Sequence, residues 1–290
     1  MTPVAELSEV TKRYKGVLAL DSVSFAVGWG EAVALLGPNG AGKTTALSLL
    51  LGLRRPDGGA ARLFGRDPRD RGTRSALGVT PQASSFPPTL RVEEVVRLVA
   101  AHFRDPVEAG ELLERFGLLG LCRRQAGGLS AGEGRRLAVA LAFVGRPQAV
   151  VLDEPTGFLD VVARRLVWSE IRAYVAAGGT VLLTSHHLEE VEALASRVVV
   201  LAAGRIVVEG TVSAIRERAG LTRIRLAARP RQIPPGVARV VADGCGAVLF
   251  AAQPELVLHR LVRQGASLGG IEVRPASLEE AFLELTGREP

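Results

Sequence analysis

A glycine-rich segment constrains the fold of this chain more than any other feature of its sequence. Residues 37–45 match the phosphate-loop pattern G-x-x-x-x-G-K-[ST]. A short apolar run at 33–36 precedes the segment, and residues 43–51 read as a helix that Gly52 ends. The sequence therefore predicts a strand, a phosphate-binding turn and a helix. The residues predicted to contact the bound nucleotide here are Gly37, Pro38, Asn39, Gly40, Ala41, Gly42, Lys43, Thr44 and Thr45.

The residue types in this segment suit a bound triphosphate. Glycines allow backbone N–H groups to curl around an anion, and the start of the helix adds the positive end of its dipole. Lys43 is expected to reach the β- and γ-phosphates, and the hydroxyl of Thr44 is suited to Mg²⁺. The predicted ligands are ATP and Mg²⁺, and a glycine turn without a ligand is the disfavoured alternative.

Two acidic residues follow a second apolar run, at 149–152. Ligands of parallel sheets bind beyond the carboxyl ends of the strands. We therefore expect Asp153 to face Mg²⁺, directly or through water, and Glu154 to face a water in line with the γ-phosphate. Glu154 would act there as a general base or would orient the water. A pair of solvated acids is the alternative, which the phosphate loop makes less favourable.

Strands alternate with helices along the first two thirds of the chain, which predicts an α/β fold with a mainly parallel sheet covered on both faces. Helical patterns at 92–116 and 137–144 indicate an all-helical subdomain inserted at 88–145. The other predicted strands are at 77–80, 181–184 and 198–201, the other helices are at 161–177 and 188–195, and a turn leads into 205–209.

The composition changes after about residue 220, and three prolines at 229–235 indicate a linker or turn. Short strands at 238–241, 247–250 and 271–273, a helix at 255–264 and a last helix from Ser277 then predict a small C-terminal α+β domain. Ser277 and Glu280 have the spacing of a capping box. The predicted domains are 1–218 and 219–290.

Charge and cysteine content exclude several classes of protein. The net charge is +6, but the arginines are scattered among acids and aromatic residues make up only 4%, so a nucleic-acid partner is disfavoured. Cys122 and Cys245 have neither metal-site spacing nor the number needed for a disulfide framework. No apolar run approaches the ~20 residues of a membrane span. A membrane role would therefore need an integral partner.

With these motifs in place, residues 4 to about 218 resemble the ATP-binding cassette (ABC) family of transporter ATPases. The resemblance implies that Tyr14 stacks on adenine and that Gln82 meets Mg²⁺ and the attacking water. It also implies that His186 contacts the γ-phosphate and that Asp160 closes a loop crossing the dimer interface. The implied fold is a P-loop NTPase cassette.

Residues 129–133, Leu-Ser-Ala-Gly-Glu, resemble the family signature Leu-Ser-Gly-Gly-Gln. In the family this segment binds the γ-phosphate of an ATP held by a second cassette, which implies that role for Ser130 and Gly132. Ser130 and Glu133 have capping-box spacing. Ala131 and Glu133 depart from the signature, and the added charge of Glu133 leads to the hypothesis that ATP-driven closure is weakened.

The resemblance implies an energy-coupling subunit at the cytoplasmic face of the cell membrane. Two copies would enclose two MgATP and drive a separate membrane permease, which would dock on the insert at 88–145. Residues 277–287 resemble the tail of the drug- and antibiotic-exporting (ABC-2 type) branch, which favours export of drugs or other small molecules.

Two other functions are weaker alternatives. A soluble ABC-type ATPase acting on ribosomes or nucleic acid usually has two cassettes, and this chain has one. A P-loop kinase or GTPase would need neither the segment 129–133 nor His186.

Overall fold

The computed structural model describes residues 2–82, 84–230 and 232–286. It divides the chain into two compact units, Met1–Glu209 and Gly210–Pro290. The strands of the first unit are β1 (Ala5–Tyr14), β2 (Val17–Val27), β3 (Ala32–Leu36), β4 (Gly58–Leu63), β5 (Leu77–Thr80), β6 (Ala149–Asp153), β7 (Thr180–Ser185), β8 (Arg197–Ala202) and β9 (Arg205–Gly210). Its helices are α1 (Lys43–Leu50), α2 (Arg71–Arg74), α3 (Val92–Ala100), α4 (Ala109–Arg115), α5 (Ala131–Phe143), α6 (Val161–Ala176) and α7 (Leu188–Leu194).

A six-stranded sheet in the order β5-β6-β7-β3-β8-β9 is the centre of the first unit. The pairs from β5 to β8 are parallel, and every residue of β3, β6 and β7 is buried. Burial on both faces explains why these strands read as continuous apolar runs. Because β6, β7 and β3 are neighbours, the segments that follow them meet at one edge of the sheet. This order positions the site.

A three-stranded antiparallel sheet, β2-β1-β4, packs with α1 in an apolar core. Leu7 of β1, Leu20 of β2 and Leu49 of α1 are almost completely buried there, with Leu35 of β3. The sequence pattern did not predict these three strands. Their pairing contains register shifts, and Glu9 and Ser22 have positive φ angles, so the alternation of apolar and polar residues is interrupted.

The segment between β5 and β6 contains α3, α4, α5 and two short 3₁₀ turns, Leu119–Leu121 and Ala126–Gly128. The prediction of one helical pattern over 92–116 is wrong in its middle, because residues 101–108 are not helical. Pro106 lacks a backbone N–H and disfavours a helical conformation at Asp105. The helix predicted at 137–144 begins earlier, at Ala131, because Ser130 caps it.

The second unit contains a four-stranded sheet in the order β11-β12-β10-β13. Alternate residues of the fully buried β12 contribute to two apolar clusters, Leu249 with Val257 and Leu261, and Phe250 with Leu221. The elements are α8 (Val212–Ala219), β10 (Thr222–Leu226), β11 (Val237–Asp243), β12 (Gly246–Ala251), α9 (Pro254–Arg263), β13 (Glu272–Pro275) and α10 (Leu278–Thr286).

The boundary between the units lies earlier than the predicted division at 218/219. Helix α8 packs against α10 and therefore belongs to the second unit. The predicted capping box is present, since the N–H of Ser277 donates to Glu280 at 2.6 Å and the N–H of Glu280 donates to the Ser277 hydroxyl at 3.2 Å. Gly287, the end of the segment that resembles the exporter tail, lies outside the described residues. Among the helices that the structure describes, none is long and apolar enough to cross a membrane.

Candidate active site

The phosphate loop joins the buried end of β3 to α1, as predicted. Gly42 has a φ of 107°, and a Cβ there would lie 2.6 Å from the carbonyl oxygen of Ala19. A Cβ at Gly37 would lie 2.2 Å from the carbonyl oxygen of Leu201. Only glycine fits either position. Gly42 is also the N-cap of α1 and no side chain caps this helix, so its first-turn N–H groups are available to an anion.

Lys43 is a buried cation at the start of α1. Its side-chain amine donates to the carbonyl oxygens of Gly37 and, at 3.1 Å, Pro38. Burial lowers its pKa, although Glu154 and Asp153 oppose that effect. No carboxylate forms an ion pair with it within the described ranges. A buried ammonium without a carboxylate partner, at the start of a helix, is suited to an anionic ligand such as a phosphate chain.

Asp153, at the end of β6, faces the same loop. It is 6% exposed, and its Oδ2 lies 3.5 Å from the hydroxyl of Thr44. Its Oδ1 accepts a hydrogen bond from the hydroxyl of Thr184 at 2.5 Å. Burial raises the pKa of Asp153, and the hydrogen bond from Thr184 opposes this rise.

The oxygens of Thr44 and Asp153 fit the ligand preference of Mg²⁺. The described residues contain no group of three or more His, Cys, Asp or Glu side chains that could hold a metal ion. Mg²⁺ would therefore need further oxygen ligands from the nucleotide phosphates and water.

Glu154 is the centre of a hydrogen-bond chain built from three segments. Its Oε2 accepts from the Gln82 amide at 3.3 Å, and its Oε1 lies 3.1 Å from Nδ1 of His186. Because an ionised carboxylate can only accept, this contact is a hydrogen bond in the tautomer of His186 that has its proton on Nδ1. Gln82 follows β5, Glu154 follows β6 and His186 follows β7, so the strand order brings them together.

Thr184 links both acids and was not among the predicted site residues. Besides donating to Asp153, its hydroxyl accepts from the backbone N–H of Glu154 at 3.1 Å. Thr184 is fully buried near the end of β7. Its position next to Ser185 and His186, at a strand end, was the available signal.

The signature segment lies at the start of α5. Ser130 caps this helix by accepting from the N–H of Glu133 at 3.2 Å, and a Cβ at Gly132 would lie 3.0 Å from the carbonyl oxygen of Phe158. Ser130, Ala131, Phe158 and Gln82 line a cavity of about 550 Å³. Neither Ser130 nor Gly132 hydrogen-bonds to the phosphate loop in the part of the chain described.

Glu133 makes two polar contacts at the start of α5. Its Oε2 accepts from the backbone N–H of Ser130 at 2.7 Å, which completes the predicted capping box. This hydrogen bond lowers its pKa, and Arg124, 3.4 Å away, forms an ion pair with it. The ion pair places a positive charge beside the negative charge of Glu133.

The structure does not bring Tyr14 and Asp160 into the cluster around Glu154. Tyr14 ends β1 and is 37% exposed, and the side-chain amine of Lys12 lies 5.6 Å from the centre of its ring. Asp160 caps α6 by accepting from the N–H of Ala163 at 2.8 Å.

Two more buried charged residues near the site were not predicted. Arg135, on α5, donates to the backbone carbonyl oxygens of Gln82 and Glu154. Glu190, on α7, accepts a hydrogen bond of 2.8 Å from the hydroxyl of Thr156. One proline separates Thr156 from Glu154 in the sequence. Each residue has charged neighbours in its own helix, so no sequence pattern indicated that either one would be buried.

Solved structures share this arrangement of strands and loops. An ATP-binding subunit of an ABC transporter matches with a TM-score of 0.69 at 29% identity, over 75% of this chain and 93% of that chain. A dimeric ATP-binding cassette in a post-hydrolysis state, bound to ADP and Pi, matches with a TM-score of 0.66 at 25% identity, over 71% and 98%. The fold and the site thus define a P-loop nucleoside triphosphatase.

Sequence comparisons identify the family. A family model described as ABC transporter matches residues 20–157. The Nod factor export ATP-binding protein I of Burkholderia thailandensis is 38% identical over 98% of this chain and 97% of its own length. The protein of the same name from Rhizobium sp. (strain N33) is 39% identical over 100% and 99%. This chain belongs to the ABC transporter family and is one of its ATP-hydrolysing, ATP-binding subunits, as its sequence motifs predicted.

Proposed function

We propose that two copies of this chain enclose two MgATP and use their hydrolysis to drive a separate membrane permease that exports drugs or other small molecules. The observation that carries the proposal is the hydrogen-bond chain formed by Gln82, Glu154 and His186. It lies beside Lys43 and Asp153. Export is supported by two relatives of this chain that are named for the export of Nod factor. The name says what those two proteins export. The permease would hold this subunit at the cytoplasmic face of the membrane.

In this proposal the phosphate chain lies against the N–H groups of residues 37–45, with Lys43 at the β- and γ-phosphates. Thr44, Asp153 and Gln82 would hold Mg²⁺, which neutralises phosphate charge when it is bound. Glu154 receives the proton of the attacking water or orients that water. Donors on both sides of its carboxylate, from Gln82 and His186, keep it oriented toward the reacting centre.

The other residues complete the nucleotide site. His186 would contact the γ-phosphate through the part of its ring that does not face Glu154, and Tyr14 would stack on adenine. Ser130 and Gly132 of the second copy would bind the γ-phosphate at the start of α5, where a helix N-terminus favours an anion. Asp160 would lie in the loop that crosses between the copies.

An apolar cavity of about 580 Å³ is the docking site that we propose for the permease. It lies between the segment that follows Gln82 and helices α3 and α5. Phe86, Leu98, Phe103 and Leu141 are among its lining residues, and Leu98 is 50% exposed. A short apolar segment of the permease would fill this cavity and move with the segment that carries Gln82.

Glu154→Gln tests the proposal. The amide keeps the shape of the side chain but cannot accept the proton, so we expect phosphate release to fall by about 10²- to 10⁴-fold. ATP should stay bound, and size-exclusion chromatography with Mg²⁺ and ATP should show an accumulated dimer. Glu189→Gln is the matched control, because Glu189 is 82% exposed and pairs only with Arg164 in the described structure, at 3.5 Å. Near-normal phosphate release from Glu154→Gln would remove Glu154 from this role.

A further inference from the structure

Arg135 joins the backbones of the two segments that carry the catalytic side chains. One nitrogen of its guanidinium donates to the carbonyl oxygens of Pro81, at 2.6 Å, and Gln82, at 3.2 Å. The other terminal nitrogen donates to those of Asp153 and, at 2.9 Å, Glu154. The planar, rigid fork of an arginine suits this double contact.

These carbonyl groups come from the ends of two neighbouring strands. Strand β5 ends at Thr80 and β6 ends at Asp153, so Pro81, Gln82 and Glu154 lie beyond their pairing. The side chains of Gln82 and Glu154 are joined by a single hydrogen bond of 3.3 Å. Arg135 therefore fixes the distance between the two backbone segments, which this long hydrogen bond alone would not maintain.

Burying Arg135 carries an energetic cost that a purely structural position would avoid. The residue is 7% exposed, and burial lowers its pKa. It forms no ion pair with a carboxylate in the described residues and donates instead to backbone carbonyl oxygens. The charges of Asp153, Glu190 and Glu154 oppose the fall in its pKa. A buried charge is commonly no more stabilising than an apolar residue of similar volume. Its arrangement around Gln82 and Glu154 therefore indicates a role in their geometry.

Arg135 also lies on the helix whose N-terminus carries the signature residues. Ser130 caps α5, and Arg135 follows within the next turn and a half of the same helix. Farther along α5, the carbonyl of Ala138 accepts from the hydroxyl of Thr80 at 3.1 Å, so the helix is anchored to the end of β5 as well. A displacement at the start of α5 would move Arg135 and the carbonyl groups bound to it.

We propose that Arg135 is a positioning residue that sets the spacing of Gln82 and Glu154 and couples it to occupancy of the N-terminus of α5. The inference rests on the proposed function, in which the second copy's ATP binds at that N-terminus. ATP at one site then adjusts the catalytic geometry of the other site through α5 and Arg135. Arg135 itself does not contact the reacting atoms.

The experiment compares Arg135→Met and Arg135→Lys with Arg136→Met in the full-length chain. Arg136 is the matched control, since it also donates to backbone carbonyl oxygens. Its partners are Phe116, at 3.4 Å, and Gly117, at 3.2 Å, and neither belongs to the segments that carry Gln82 and Glu154. Rates of phosphate release are measured against ATP concentration, with thermal unfolding followed in parallel. If Arg135→Met does not fold, Arg135→Lys is judged by the same criteria.

For Arg135→Met we expect kcat to fall about 10- to 100-fold, because a misplacement of about 1 Å is enough for such a loss. KM for ATP should stay within about twofold, since the phosphate loop is untouched. Cooperativity in ATP concentration should be lost, because the path between the two sites is cut. Arg135→Lys should recover part of kcat, and Arg136→Met should match the parent.

Two results would overturn the inference. One is a kcat of Arg135→Met within about twofold of the parent with unchanged cooperativity. The other is an equal loss in Arg136→Met, which would indicate a general effect on stability. A parent chain that does not hydrolyse ATP would instead overturn the proposed function, so the two failures can be told apart.

Discussion

Thr184 organises both acidic residues of the site through one hydroxyl group, which donates to Asp153 and accepts from the N–H of Glu154. Asp153 and Glu154 were predicted from sequence because two acids after an apolar run are visible locally. Thr184 was not, because a threonine in a strand is common and only the pairing of β6 with β7 brings it beside Asp153.

We expect Thr184→Val to increase the Mg²⁺ concentration needed for half-maximal ATPase activity. The change leaves the buried Asp153 without its donor, which raises its pKa further and costs about 1–3 kcal/mol of stability. The measurement is an Mg²⁺ titration of phosphate release. Thr180→Val is the control, since Thr180 is buried in the same strand and accepts from the N–H of Gly30 at 2.9 Å, away from the site. An equal Mg²⁺ shift in both variants would contradict the prediction.

Glu190 makes the stability of the first unit depend on pH. The residue is 1% exposed, and burial raises its pKa above the ordinary 4.5, although hydrogen bonds from Ser185, Thr156 and Trp168 oppose the rise. The folded state thus holds the proton more tightly than the unfolded state. The resulting stabilisation is complete below about pH 4.5 and is lost as the pH rises through the higher folded pKa.

Glu190→Gln should therefore gain stability relative to the parent as the pH rises above about 4.5, because glutamine is neutral throughout. Thermal midpoints of both proteins across the pH range of folding measure the difference. The exposed Glu189→Gln should give no such trend. If the difference in thermal midpoint between the two proteins does not change with pH, the pKa of Glu190 is not raised in the folded state.

At the scale of elements, α5 connects more of the site than any local pattern indicated. The capping box of Ser130 and Glu133 could be predicted from spacing alone, since both partners lie in one turn. The break in the helical pattern at 92–116 was missed although Pro106 signals it, and β1 and β2 were missed because bulges interrupt their alternation. The contacts of Arg135 with Pro81 and Gln82 span more than fifty positions along the chain, and those with Asp153 and Glu154 span 18 and 19, so none has a local signal.

Ser130→Ala separates the capping role of this residue from its proposed role at the second nucleotide. Loss of the cap should cost about 1 kcal/mol of stability. Glu108→Ala removes a similar cap, at α4, where Glu108 accepts from the N–H of Glu111 at 3.0 Å. We expect both variants to lose stability in urea unfolding, but only Ser130→Ala to lose ATPase activity. Equal activity in the two variants would leave Ser130 with the cap alone.

At the scale of the whole molecule, the residues predicted to bind nucleotide lie in two separate groups. The phosphate loop, Asp153 and Glu154 are together, whereas Ser130 and Gly132 make no hydrogen bond to that loop among the residues that the structure describes. The proposed function therefore requires a second copy to complete each site, in keeping with the dimeric cassette that this fold resembles.

The rate of ATP hydrolysis should consequently depend on association. At concentrations below the dimer dissociation constant, phosphate release should vary with about the second power of protein concentration, because only dimers turn over. Phosphate release and sedimentation velocity over the same dilution series measure this dependence. A rate that stays proportional to concentration where only monomers are present would show that one chain is sufficient.

The sequence by itself determined the phosphate loop, the acidic strand end and the family, because each depends on residues that are close together in the chain. Only the tertiary structure decided that Gln82, Glu154 and His186 form one hydrogen-bond chain and that Arg135 joins the backbones beside them. These contacts depend on the order β5-β6-β7 in the sheet and on how α5 packs against it. Such packing is set by burial of apolar surface across distant segments, which local patterns do not encode.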